Sequence, residues 1–168
     1  MIFFLLVAAA LASPYKFLFT EQPDYIEQEY LNRCSYLNGT FYKLQYVSDQ
    51  LFRRQIYTQG CQEFLSETTE SLTSNQRYDF FNDDMLAEAL MGSLYGCYPI
   101  EFETKNRLYP RGCFNQQQYL YNRQTNSIEL FHYDDARCTT GETLVAGKSK
   151  RCGCNTENDA YYFLYCND

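Results

Sequence analysis

The chain has no tryptophan and a single histidine, His132. One histidine excludes acid/base chemistry of the two-histidine, ribonuclease kind. It also leaves any serine or cysteine nucleophile only one base to draw on, and no Gly-x-Ser-x-Gly elbow is present. The missing tryptophan weakens, without removing, a sugar-binding reading. Positive charge is also scarce: 14 Lys and Arg stand against 21 Asp and Glu, for a net charge of −7. Nucleic-acid binding needs a basic face that releases counterions, so no nucleic-acid partner is expected. The one basic cluster, Lys148, Lys150 and Arg151, reads as a solvated loop. Long apolar runs are lacking as well. A bilayer span needs about 20 residues; Met85 to Tyr95 is shorter and carries Glu88, and Tyr161 to Tyr165 runs straight into Cys-Asn-Asp. No P-loop, Gly-x-Gly-x-x-Gly or EF-hand pattern occurs, so no cofactor is expected.

What is present points to export. Met1 to Ala12 is an apolar stretch of signal-peptide length ending in Ala10-Leu11-Ala12, small at the two positions a signal peptidase reads. Cleavage is expected after Ala12, leaving a secreted domain of residues 13–168. All eight cysteines, Cys34, Cys61, Cys97, Cys113, Cys138, Cys152, Cys154 and Cys166, lie beyond that point. In an exported chain an even count implies four disulfides. Export also argues against a metal or redox role for Cys152-Gly153-Cys154, because zinc sites favour Cys-x-x-Cys spacing. Residues two apart on a strand bond poorly to each other, so these two should have different partners. Asn38-Gly39-Thr40 is a glycosylation sequon, and its Asn-Gly lies between apolar runs as in a hairpin.

The elements read as α+β: antiparallel hairpins in one or two sheets plus two short helices. Pro23 to Leu31 suggests a helix near 24–32, with acids in its first turns and Ile26 and Tyr30 on one face. Asn82 as cap, Asp83-Asp84 and the spacing of Leu86, Leu90 and Leu94 suggest a second over 83–95. Strands are expected at Phe41 to Val47, Leu51 to Tyr57, Ile100 to Glu103, Tyr119 to Arg123, Ile128 to Tyr133 and Ala160 to Tyr165. Glu67 to Gln76 reads as an exposed linker. Two weakly repeated halves, 13–75 and 76–168, are suggested by Ile56-Tyr57-Thr58-Gln59-Gly60-Cys61 and Leu108-Tyr109-Pro110-Arg111-Gly112-Cys113. The intervals Cys34 to Cys61 and Cys113 to Cys138 also echo each other, which makes those two pairs the first disulfides to expect.

Tyr133-Asp134-Asp135-Ala136-Arg137-Cys138 closes one strand. Over residues 113–166 the chain resembles uncharacterised cysteine-rich secreted proteins of protists, whose strand pairs end in Tyr-x-Asp-x-x-Cys; the first half of the chain lacks the Asp. The resemblance implies a secreted, β-rich protein and no particular activity.

Three functions fit these features. The first is a non-enzymatic secreted binding protein whose 17 Tyr and 13 Phe supply a contact face for an extracellular protein or glycan. The second is a hydrolase using carboxylates such as Asp83, Asp84, Asp134, Asp135, Glu101 or Glu103, which would need two acids facing each other across a cleft. The third is an inhibitor of secreted hydrolases presenting the polar Thr139 to Lys150 segment. A His132–Asp134 pair on one strand face is a minor catalytic candidate.

Overall fold

The computed structural model describes residues 15–37, 39–79, 85–91, 97, 105–157 and 160–167. Among them every regular element is a strand, except one 3-10 turn at Gln59–Cys61. The fold is therefore all-β, and the α+β expectation is overturned. The segment expected as the first helix contains strand β2, Ile26–Tyr30, and the second contains β8, Met85–Met91. Residues 83–84 and 92–95 of that second expectation lie outside the described residues. The misleading signal was a spacing of four. Ile26 and Tyr30 share a face in a helix, but four is even, so they also share a face in a strand. What decides is tertiary: β2 lies between two neighbours that pair with its whole length or part of it.

The strands before β8 are β1 Phe17–Glu21, β2, β3 Ser35–Leu37, β4 Thr40–Ser48, β5 Leu51–Tyr57, β6 Phe64–Ser71 and β7 Gln76–Asp79. After β8 come β9 Asn106–Pro110, β10 Gln117–Asn122, β11 Ser127–His132, β12 Thr143–Leu144, β13 Lys150–Arg151, β14 Gly153–Glu157 and β15 Ala160–Cys166. They form three antiparallel sheets. The large one has the order β14-β15-β8-β9-β2-β1-β7, so it mixes strands from both halves of the chain. One small sheet is the meander β3-β4-β5-β6. The other joins β10, β11, β12 and β13, with both short strands on β11. Glu67 to Gln76, expected as a linker, supplies most of β6 and the turn into β7.

Both small sheets pack on the same face of the large sheet. Leu18 of β1 meets Tyr42 and Leu44 of β4 and Phe52 of β5. Further along, Ala87, Ala89, Tyr109, Tyr162 and Leu164 meet Tyr119, Ile128 and Leu130. Alanines at 87 and 89 leave room for these large rings, and both are fully buried. The opposite face of the large sheet carries Phe17, Phe19, Ile26 and Leu108.

Four disulfides staple the sheets one at a time. Cys34–Cys61 closes the β3–β5 segment, and Cys113–Cys138 closes the β10–β11 hairpin; these are the two pairs that the echo of intervals suggests. Cys154 bonds Cys97, and Cys152 bonds Cys166 of β15, so the Cys-x-Cys pair has two different partners.

Candidate functional site

Between its irregularities at Tyr46–Ser48 and at Phe64–Ser66, the meander β3–β6 is amphipathic by alternation. On β4, Tyr42 and Leu44 turn inward, while Phe41, Lys43 and Gln45 turn outward; on β5, Phe52 and Ile56 turn inward while Arg53, Gln55 and Tyr57 turn outward. Arg53 and Arg54 thus split between the two faces, and Arg54 covers the inner rings of Tyr42 (5.1 Å to the ring centre) and Phe52 (5.7 Å).

Register brings four outward aromatic side chains into one row. Tyr36 faces Phe41, Phe41 faces Tyr57, and Tyr57 faces Phe64. Directly opposed residues of antiparallel strands point to the same side, so the row crosses all four strands of the meander. Ring centres lie 4.8 Å apart for Tyr36 and Phe41 and 5.9 Å for Tyr57 and Phe64. Tyr36 and Phe64 at the two ends are exposed, Phe64 by 54%. The next row along the same outer face is polar: Lys43, Gln55 and Glu67. Lys43 sits 5.0 Å from the Tyr57 ring centre, the Tyr57 hydroxyl donates to Gln55 Oε1 at 2.9 Å, and the Gln55 amide donates to Glu67 at 3.1 Å. Aromatic rings with polar tips, fixed by neighbours, lose little freedom on contact.

Covalent bracing lies at this end of the sheet. Cys34 precedes β3, Cys61 follows β5, and the bond between them passes over β4, where Cys61 Sγ is 3.8 Å from the Tyr42 carbonyl oxygen. Gly60 and Cys61 both adopt positive φ, which lets the chain double back from β5 to β6. Asn38, the expected glycosylation site, lies outside the described residues, but its hairpin is closed by the Leu37–Thr40 pair, one residue along from Tyr36 and Phe41.

The carboxylate candidates are arranged differently. Asp83, Asp84, Glu101 and Glu103 lie outside the described residues. Asp135 is a turn centre: it accepts from Arg137 N (2.8 Å), Thr139 N (2.9 Å) and Oγ1 (3.1 Å), and Thr140 N (2.7 Å) and Oγ1 (2.8 Å). The Thr140 hydroxyl and then the Thr139 amide hold its carboxyl well below the usual carboxylate range. Asp134 packs against Gly141, whose φ is +71°, and a Cβ there would collide with the Asp134 carboxylate. His132 is exposed at the end of β11, facing Gln117 and Thr143. The Thr139 to Lys150 segment is laced along β11: β12 and β13 pair with it, Val145 N–H donates to Leu130 O at 2.9 Å, and the Val145 side chain packs into the core.

A charged cluster not singled out in the sequence sits on the face of the large sheet that carries the small sheets. Glu29, only 3% exposed, accepts from the Tyr42 hydroxyl at 2.7 Å and pairs with Lys105 at 3.4 Å. Lys105 also pairs with Glu27 at 3.3 Å. A lone buried carboxylate would cost several kcal/mol, of order 5; the lysine and the phenol offset that cost, so the cluster acts as a joint between β2, β4 and the chain leading into β9. Glu88, pushed up by burial and held by the Asn106 amide at 3.0 Å, lies on the other face of the sheet. Its carboxyl therefore does not face Glu27 or Glu29. Among the described residues no group of three or more His, Cys, Asp or Glu side chains could hold a metal ion, and no helix is long and apolar enough to cross a membrane.

No family model, no curated protein and no solved structure matches this chain.

Proposed function

We propose that the chain is a secreted, non-enzymatic binding protein, and that the outer face of the β3–β6 meander is where it engages an extracellular protein or glycan. The observation that carries this reading is the row Tyr36–Phe41–Tyr57–Phe64, which crosses every strand of the sheet at its disulfide-braced end. Aligned rings flanked by Lys43, Gln55 and Glu67 combine apolar contact with donors and acceptors, the composition of a recognition face. Four disulfides suit an extracellular setting.

The test is a screen of the labelled secreted chain against a glycan array and a panel of immobilised extracellular proteins. The Tyr36→Ala/Tyr57→Ala/Phe64→Ala variant is run beside it. The reading expects a saturable hit that weakens by about tenfold or more in the variant, the loss typical of removing aromatic anchors. A hit that the variant retains unchanged would sink the assignment to this face.

A further inference from the structure

The meander ends in an edge strand unlike the other sheet edges. β6 runs eight residues, Phe64–Ser71, and all but Glu70 are exposed. On one side it pairs with β5; its other side is unpaired among the described residues. The competing edges are shorter or shielded. β3 has three residues, β7 four, and β12 and β13 two each. β14 is tied by disulfides from Cys152 and Cys154, and β10 has six residues, of which Tyr119 is buried. Open edges are normally protected by charged side chains, lysine above all, by proline, by bulges or by brevity. β6 reads Phe-Leu-Ser-Glu-Thr-Thr-Glu-Ser, with neither lysine nor proline. Its one irregularity lies at the Phe64 end, opposite Ile56 and Tyr57.

We propose that this edge pairs with β6 of a second copy of the chain, antiparallel about a two-fold axis, joining two meanders into one continuous sheet. Two observations favour a second copy as the occupant. First, symmetry restricts the register. Opposed residues must point to the same side, so a two-fold axis through an antiparallel pair must fall on a residue that faces itself. With Thr68 on the axis, Glu67 faces Thr69 of the other copy and Glu70 faces Ser66. With Thr69 on the axis, Glu67 faces Ser71 and Glu70 faces Thr68. Both registers place every glutamate against a hydroxyl, and both centre on a Thr–Thr pair, a favourable cross-strand match.

Second, the acids do not need cations from a partner. Glu67 already lies 3.7 Å from Arg53 and accepts from Gln55, and Glu70 accepts from Arg54 Nε at 3.0 Å.

A contact limited to one strand pair is smaller than the roughly 1,600 Å² of a standard interface, so a dissociation constant between about 1 μM and 1 mM is expected. The test is analytical ultracentrifugation of the intact secreted chain across that range, paired with hydrogen–deuterium exchange at both ends of it. The inference expects the mean mass to climb towards twice the monomer, with slowed exchange concentrated in 64–71. The Thr68→Lys/Thr69→Lys variant, checked for native circular dichroism, should stay monomeric. Exchange on the unmodified chain keeps the question decidable should that variant misfold. A chain monomeric throughout, a dimer whose 64–71 amides exchange as in the monomer, or a native-like lysine variant that dimerises equally well would each overturn the inference. Tyr36 and Tyr57 are not on the paired edge, so Tyr36→Ala/Tyr57→Ala should leave the dimer intact, which separates this result from the fate of the binding face.

Discussion

At the scale of single residues, the turn after β11 depends on one carboxylate. Asp135 gathers five donors from Arg137, Thr139 and Thr140, and Cys138, inside the same turn, is bonded to Cys113. The Tyr-x-Asp-x-x-Cys pattern is thereby given a structural role: the Asp organises the turn that presents the cysteine. The sign of its pH dependence follows. Its pKa is lowered on folding, so its stabilising effect is full above the unfolded value of about 3.9 and is lost as pH falls towards the folded one. Asp135→Ala should lower the melting temperature at pH 7. Thermal melts at about pH 2.5 should show a smaller gap between the two proteins; a gap that stays constant would mean that the charge is not what the turn uses. The turn itself was legible in the sequence, since Asp134-Asp135 at the end of a strand is a turn signal. Glu29 was not legible as a buried acid. Its two partners, Tyr42 and Lys105, are far away along the chain, and local pattern does not report distant pairing.

At the scale of elements, β3, β4 and β5 of the meander could be read directly because Asn-Gly and alternating apolar residues favour a hairpin. β2 and β8 could not. Ile26/Tyr30 and Leu86/Leu90 are spaced by four, a distance that both periods place on one face, and Ala87, Glu88 and Ala89 are good helix formers. Neighbours outvoted propensity: β8 is flanked along its length by β9 and β15. The aromatic row was only half legible. Sequence showed abundant Tyr and Phe, but the row exists because four strands align in register, including β6, whose polar composition suggested a linker. Side-chain hydrogen bonds fasten the meander to the large sheet: the Tyr78 hydroxyl of β7 donates to the Leu51 carbonyl oxygen of β5, and the Tyr42 hydroxyl donates to Glu29. Tyr42→Phe removes that donor from a buried carboxylate, and should cost about 1–3 kcal/mol. Urea unfolding checks this, and a change under 0.5 kcal/mol, of the size of ordinary surface substitutions, would show that Lys105 suffices alone.

At the scale of the whole molecule, tyrosine replaces the missing tryptophan as the large core residue. Tyr42, Tyr109 and Tyr119 are nearly inaccessible, and burial pushes all three phenols up, with Tyr78 pushed up to about 12. Groups whose pKa is raised by folding keep their full contribution below the unfolded value, near 10, and lose it as pH rises further. Stability should therefore fall steeply above about pH 10. Absorbance of tyrosinate at alkaline pH should rise in two stages, exposed rings first and buried rings together with the loss of near-ultraviolet circular dichroism. A single smooth titration with the fold intact would contradict the burial.

The placement of the disulfides has a mechanical consequence. Tension along the chain is shunted past β3, β4 and β5 by Cys34–Cys61, past β9 to β13 by Cys97–Cys154, and past most of β14 and β15 by Cys152–Cys166. Load would therefore reach β1, β2, β6, β7 and β8, and antiparallel strands pulled at one end peel one pair at a time. Of the four rings in the row, only Phe64 lies on a loaded strand. Under traction the face would lose Phe64 while Tyr36, Phe41 and Tyr57 stayed locked in place, so the row would come apart from one end only.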